Sequence, residues 1–278
     1  MRSAIRIGVV AAGAALLLGC VSAPSPASPP AAATATRAPV EARRALAPTG
    51  TLRVGVYAGS PTSMVRAAGS TEMRGVSVEL GQELGQRLGV PVQIVVYPRL
   101  AEVLAAIQRG EADVTVTNAT AERARVVDFT APLLALELGV LARAGSPVTS
   151  AQTLDVAGAR IGVSQGSTSE SVLRTRLSKA LLVPTPTLDA AAQALKSGTL
   201  EAFATNKAIL FELADRVPGS RVLDDRWGLE HLAMAVGKGR DAGLPYLRAF
   251  AESVRAGGEV RRAAERAGLR GTASDTAP

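Results

Sequence analysis

The sequence predicts an α/β fold of two lobes, with mixed sheets and two hinge crossovers of the chain between them. Three observations carry this expectation. Strand-like and helix-like patterns alternate in a βαβα rhythm, which means parallel strands joined by crossover helices. The chain echoes itself: residues 104–118 (LAAIQRGEADVTVTN) line up with residues 192–206 (AQALKSGTLEAFATN) as helix, Gly, strand, Thr-Asn, and residues 50–56 (GTLRVGV) line up with residues 158–163 (GARIGV). Leu134–Ala142 is apolar enough for a buried strand, and residues 229–236 offer a return path after the second copy. Two such lobes would face each other across a cleft beyond the carboxyl ends of the strands, where open α/β sheets bind ligands.

Leu52, Val54 and Val56 alternate and form the first strand. Val76–Leu88 has helical spacing, with Val76, Leu80, Leu84 and Leu88 on one face and Gly89 as the stop. Val92, Ile94 and Val96 form a second strand, and residues 100–109 a second helix closed by Gly110. A short strand with Val114 and Val116 follows, then a polar turn opening a short helix with Thr120 as its N-cap. Arg123 falls in the first turn of that helix, where the helix dipole disfavours a cation. It makes sense if the anion is a ligand held jointly by backbone N–H groups and a guanidinium fork; a solvated surface arginine is the other reading. Leu134–Ala142, followed by Gly145-Ser-Pro147, makes the first crossing. The segment 229–236 makes the second, and residues 247–269 are helical. Lobe 1 is therefore expected over 50–141 and 229–270 and lobe 2 over 142–228. A chain that crosses twice makes a hinge, and closure around a ligand is the motion it supports.

The length of 278 residues allows two modest domains, and the 47% apolar content is ample for their cores. The net charge of +7 is spread among acidic residues with no Lys/Arg run, and aromatics make up 3%, so nucleic-acid binding has little support. Residues 1–19 have the layout of a signal peptide: Arg2 and Arg6, then an apolar run too short for a comfortable membrane span. The run ends Leu17-Leu-Gly-Cys20, which resembles a lipobox with Cys20 as the acylated residue; cleavage after Val21-Ser-Ala23 is the alternative. With a single cysteine, no disulfide forms within the chain. Residues 20–49, rich in Ala, Pro, Ser and Thr, are expected to be a flexible tether, and residues 271–278 a disordered tail. No H-E-x-x-H, C-x-x-C or EF-hand pattern is present, so neither a metal nor a cofactor is expected.

The ordered motifs GTLRVGV, GVSVEL, LGVPVQIV, AIQRGEADV, ATAERARVVDFTAP, ARIGVSQGST and ALKSGTLEAFAT resemble those of the bacterial extracellular solute-binding proteins of family 3, the polar amino-acid receptors of ABC importers. The resemblance covers roughly residues 50–270. It implies a two-lobe periplasmic-binding-protein-like (type II) fold, a periplasmic location on a lipid anchor, an ABC permease partner in the inner membrane, a monomer, and no catalysis. It also implies that a ligand carboxylate is held by Arg123 and Thr120 of the A-T-A-E-R segment and by Ser167 and Thr168 of the G-S-T turn, with Asn118 lining the pocket. Ser167 and Glu170 fit a helix capping box, a role compatible with binding.

Two departures from the family pattern bear on the ligand. Amino-acid binders carry an aspartate after the strand that matches Ala202-Phe-Ala-Thr, where it meets the ligand ammonium; this chain has Asn206. The first loop reads Gly59-Ser-Pro-Thr-Ser-Met64 in place of an aromatic wall, and Tyr57 either replaces the missing ring or is an ordinary buried tyrosine. Glu230 either supplies the missing negative charge or plays a structural part at the crossover. Trp227, the single tryptophan, suits hinge packing better than ligand stacking. Two other functions compete. A cyclohexadienyl-dehydratase-like enzyme on the same fold would need a general acid, for which Glu230, Glu201 and His231 are the candidates; a ligand sensor for a signalling partner would share every cleft feature. A serine-hydrolase elbow at Gly162-Val-Ser-Gln-Gly166, followed by Asp224, Asp225 and His231, lacks an upstream oxyanion segment.

Overall fold

The computed structural model describes residues 38–66 and 69–273; the leader, Cys20 and the first part of the tether lie outside the described residues. The elements in chain order are α1 (Val40–Leu46), β1 (Leu52–Tyr57), α2 (Val76–Leu88), β2 (Val92–Tyr97), α3 (Leu100–Gln108), β3 (Val114–Asn118), β4 (Val127–Phe129) and β5 (Leu134–Ala142). They continue with β6 (Arg160–Ser164), α4 (Thr168–Arg176), β7 (Leu181–Thr185), α5 (Leu188–Lys196), β8 (Ala202–Asn206), α6 (Lys207–Ala214), β9 (Arg221–Val222), β10 (Gly228–Gly237), α7 (Leu244–Ala256) and α8 (Glu259–Arg266).

The strands form one continuous mixed sheet in the order β2-β1-β3-β10-β5-β8-β6-β7, with β4 beside β10 and β9 beside β5. Within each half the neighbours are parallel, β1 with β2 and β3, and β6 with β7 and β8. The antiparallel strands β5 and β10 join the halves. Residues 134–138 of β5 pair with residues 228–232 of β10, beyond which β10 runs on along β3 and β5 along β8. The crossing thus takes place inside two paired strands. The larger apolar core lies under β1, β3 and β10 against α2 and α7, and separate clusters fill the β6–β8 half.

Local chemistry explains the close packing. Gly81 and Gly85 interrupt α2 at a helix-propensity cost, yet a Cβ there would lie 2.5 Å from Val54 Cγ2 and 2.1 Å from Val92 Cγ2. The glycines let α2 press onto β1 and β2, burying Val76, Val78, Leu80, Leu84 and Leu88, each contributing about 1.5–3 kcal/mol.

The internal echo has a structural counterpart. Arg53, at the start of β1, gives Asp113 its backbone N–H at 2.8 Å and two guanidinium hydrogen bonds at 2.9 and 2.7 Å. Arg160, at the start of β6, does the same to Glu201 at 2.8, 3.1 and 2.6 Å. Each carboxylate also faces a second arginine, Arg240 at 2.8 Å from Asp113 and Arg143 at 3.6 Å from Glu201.

Three expectations need correction. The tether expected to reach residue 49 gives way earlier: α1 is a helix whose Leu46 is wholly buried, and Arg240 donates to the carbonyls of Ala45 and Leu46 at 2.9 and 3.3 Å. The helix expected over 247–269 is two helices, parted at Gly257-Gly258, where Gly258 has φ of 78°. Part of the tail expected from residue 271 lies along β5, with Thr272 bridged to Leu136 and Ala273 N–H donating to Ala135 O at 3.0 Å. No described helix is long and apolar enough to cross a membrane.

Asp113 is fully buried, so Asp113→Ala leaves two arginines without their anion and is expected to cost about 3–5 kcal/mol, measured by urea unfolding. Arg160 holds Glu201 down at about 2. A depressed carboxylate stabilises the fold above its unfolded value of about 4.3. That contribution is lost as pH falls through about 2, because protonation then favours the unfolded chain. Glu201→Gln should flatten this part of the stability–pH profile.

Candidate functional site

The site is built where the two halves of the sheet meet. Strands β3 and β8 both end in Thr-Asn, and the loops after β1, β6 and β7 close over the same space. The cavity between them has a free volume of about 50 Å³, room for about three to five waters at roughly 10–15 Å³ each. Its wall combines apolar side chains, among them Val116, Leu188, Ile209 and Leu232, with the polar groups of Arg123, Glu230, Asn206, Ser167 and Thr168.

Arg123 is the central feature. Its side chain is 8% exposed and its guanidinium is pulled below its ordinary value by burial, against the raising influence of Glu230 and Tyr57. Nη1 donates to Thr117 Oγ1 at 2.9 Å and to Asn118 O at 3.2 Å. Nε and Nη2 meet no protein acceptor and the group forms no ion pair among the described residues, while the residue lines the cavity. Burying a cation in this way is costly unless an anion arrives.

The short helix that carries Arg123 is a single 3₁₀ turn, Arg123–Arg125, preceded by Glu122. Thr120 caps this turn as expected, its carbonyl accepting the Ala124 N–H at 2.9 Å. Its hydroxyl accepts the Arg123 N–H at 3.2 Å, and it stands outside the cavity lining. Its contribution is to place the arginine.

The other sequence-predicted residues, Tyr57, Asn118, Ser167, Thr168 and Asn206, all line the cavity with Arg123. Asn118 turns its Oδ1 to the His231 N–H at 3.0 Å, stitching β3 to β10. Ser167 caps α4 by accepting the Glu170 N–H at 3.1 Å, while the Glu170 carboxylate reaches back to the Gly166 N–H at 2.6 Å. The N–H groups of Thr168 and Ser169 belong to the first turn of α4 and have no intrahelical acceptor. Asn206 caps α6 through Oδ1, which accepts from Ile209 N–H at 3.1 Å, and its Nδ2 donates to Glu230 Oε1 at 2.8 Å. Tyr57 packs between the two cores with its phenol raised by burial. In the first loop Ser60 and Thr62 bond to each other at 2.9 Å, so the missing aromatic wall is replaced by small buried hydroxyls.

Sequence reasoning missed Thr117, whose hydroxyl anchors Arg123, and Thr187 and Leu188, which close the lobe-2 side. The Thr-Asn repeat at the strand ends, with Thr205 matching Thr117, was the available signal. Of the three candidate acids, Glu230 alone lines the cavity: Glu201 is held in its arginine cluster, and His231 projects from the other face of β10. The Asp225 carboxylate bonds Ser150 at 2.6 Å and the Ala151 N–H at 2.9 Å, so it does not orient His231 for a Ser-Asp-His relay through Ser164. Trp227 donates Nε1 to Gly139 O at 2.9 Å and packs beside the crossing strands.

Two α/β lobes joined by a pair of antiparallel strands, with a polar cleft between them, define a type II periplasmic-binding-protein fold. The chain belongs to the bacterial extracellular solute-binding proteins, family 3, whose family model matches residues 52–268. It is 30% identical over 138 residues to the ABC transporter glutamine-binding protein GlnH of Bacillus subtilis (strain 168), a match spanning 49% of this chain and 50% of that relative. The chain therefore spans about half the length of this curated relative. Among solved structures, the amino acid ABC transporter substrate-binding protein AbpA from Streptococcus pneumoniae, bound to L-arginine, superposes with a TM-score of 0.73 at 22% identity, over 81% of this chain and 97% of that one. The solute receptor for L-cysteine of Neisseria gonorrhoeae gives 0.71 at 25% identity, over 81% and 92%.

A buried cation without a protein anion is kept for something other than stability. Arg123→Met is expected to leave the unliganded protein as stable or to stabilise it, by up to about 1–4 kcal/mol, in urea unfolding at pH 7. A clear loss of stability would mean that the guanidinium serves the fold.

Proposed function

We propose that this chain is the substrate-binding component of an ABC importer, capturing a small carboxylate-bearing solute, an amino acid or related organic acid, by closing its two lobes. One observation carries the reading: Arg123 is buried, free of any ion pair among the described residues, and lines one cavity with the first turn of α4. A carboxylate there satisfies the fork from one lobe and the Thr168 and Ser169 N–H groups from the other, so its binding favours the closed form. Residues Ser167, Thr168, Asn118, Asn206 and Tyr57 complete the wall. In this reading the protein breaks no bond; it hands its ligand to a membrane permease and acts as a monomer held at the membrane through Cys20.

Two contacts across the cleft support closure as the binding motion. A Cβ on Gly166, in the loop before α4, would lie 2.7 Å from Ala101 Cβ on α3, and one on Gly59 would lie 3.0 Å from Leu188 Cδ1. Both glycines have positive φ, 73° and 87°, so the loops approach where side chains would hold the lobes apart.

A thermal-shift screen against amino acids, mono- and dicarboxylates and prephenate tests the reading. Ligand at about 100 times its dissociation constant should add about 2.7 kcal/mol of stability, and Arg123→Met should weaken binding by about 2–5 kcal/mol. Gly166→Ala, which leaves Arg123 in place, should lower affinity chiefly through the closed state, seen as faster ligand release in stopped-flow fluorescence of Trp227. Turnover of prephenate or arogenate would establish the dehydratase alternative, for which Glu230 is the acid in place.

A further inference from the structure

Glu230 sits at the middle of the crossing ribbon, opposite Leu136 of β5. Its side chain is buried and lines the cavity that Arg123 faces. It accepts one hydrogen bond, from Asn206 Nδ2 to Oε1, and Oε2 has no protein donor among the described residues. The orientation of Asn206 is determined by its surroundings: its oxygen is taken by the Ile209 N–H at the start of α6, so its two amide hydrogens must serve the other side, where Glu230 lies. Arg123 is the cation that bears on Glu230, yet the two form no ion pair, and each leaves polar atoms open to the same cavity.

The other ionisable groups nearby do not fill this role. Tyr57 is a buried neutral phenol that feels both charges. Lys207, which follows Asn206, donates to Glu137 at 2.7 Å and to Asp224 O at 2.6 Å. His231, next along β10, is exposed on the opposite face.

We propose that Glu230, positioned by Asn206, is a cation subsite that takes the ammonium of a ligand whose carboxylate lies on Arg123. The proposal rests on the carboxylate-receptor reading of the cleft and adds the second charge of the ligand to it. An aspartate at position 206 would set two carboxylates at hydrogen-bond distance, which like charges do not tolerate when both are ionised. Asn206 and Glu230 therefore act as a unit: the negative charge stands on the hinge strand, and the amide at the end of β8 orients it. Burial pushes Glu230 up to about 7 in the unliganded protein. A bound ammonium supplies the missing counter-charge and drives the group to its ionised form, so binding at pH 7 should release about half a proton per ligand.

Isothermal titration calorimetry of the full chain tests this at pH 7 in two buffers of different ionisation enthalpy. The probes are L-glutamine, L-glutamate and L-cysteine, each beside its counterpart without the amino group: glutaramate, glutarate and 3-mercaptopropionate. The expected result is a preference of about ten- to hundredfold for an amino acid over its counterpart, with proton release. Glu230→Gln, which keeps the side-chain shape and a partner for Asn206, should abolish both the preference and the release. The double variant Asn206→Asp with Glu230→Gln should restore the preference by returning the carboxylate to the end of β8. Equal affinity for the two members of a pair, proton uptake, or an unchanged preference in Glu230→Gln would overturn the subsite while leaving the Arg123 reading intact. Failure of every probe to bind, or binding indifferent to Arg123→Met, would overturn both.

Discussion

The desolvated guanidinium of Arg123 is the constraint around which the cleft is organised. A cation taken out of water and given no protein anion is held by whatever neutral oxygen atoms the fold can bring to it. Here those are a threonine hydroxyl and a main-chain carbonyl at the end of β3, with Thr120 holding the backbone of the same turn. The first turn of α4 lines the same cavity, so the positive end of its dipole adds to the charge of Arg123 there. Glu230 tempers the field without discharging it, since a direct ion pair would close the site against a ligand.

Two further charge clusters lie away from the cavity. Both lobes place an acidic residue in the same position of the repeated unit, Asp113 and Glu201, and both cover it with the arginine that starts the neighbouring strand. These clusters lie at the strand ends remote from the Thr-Asn loops, where they tie the first strand of each unit to the third. Each lobe is thereby tied within itself by the same ion-pair device. Receptor closure as proposed above would call for such internally braced halves.

Much of this was legible in the sequence, for physical reasons that differ by element. The helix Val76–Leu88 and the strand Leu134–Ala142 were readable to the residue, the first from apolar periodicity and a stop glycine, the second from a largely apolar run broken only by Glu137 and Gly139. The strand β7 was not, since Pro184 within Leu181–Thr185 argues against a strand; it is tolerated because β7 is the edge of the sheet and pairs only with β6. The helix α1 hid in an Ala/Pro-rich stretch, since what stabilises it, Arg240 and the packing near Gly243, comes from almost two hundred residues away. At the site, Arg123 announced itself by being a cation at a helix start. Thr120 was readable as the cap of that turn, whereas its place outside the cavity lining depends on the path of the backbone and was not. Glu230 could not be weighed from the sequence alone: its importance lies in which amide hydrogen faces it, and that is decided by the capping of α6.

The strip of Gly271–Ala273 along β5 changes what kind of joint this is. Glu137 N–H donates to Gly271 O at 3.1 Å while β10 pairs with β5 from the other edge, so the crossing is three chains wide. A third hydrogen-bonded chain braces an antiparallel pair that would be weak by itself. Glu230 is mounted on this strap, between the two halves of the sheet. A solute held as proposed would therefore touch the joint as well as the lobes, and its charge and the joint's pairing would bear on the same few residues.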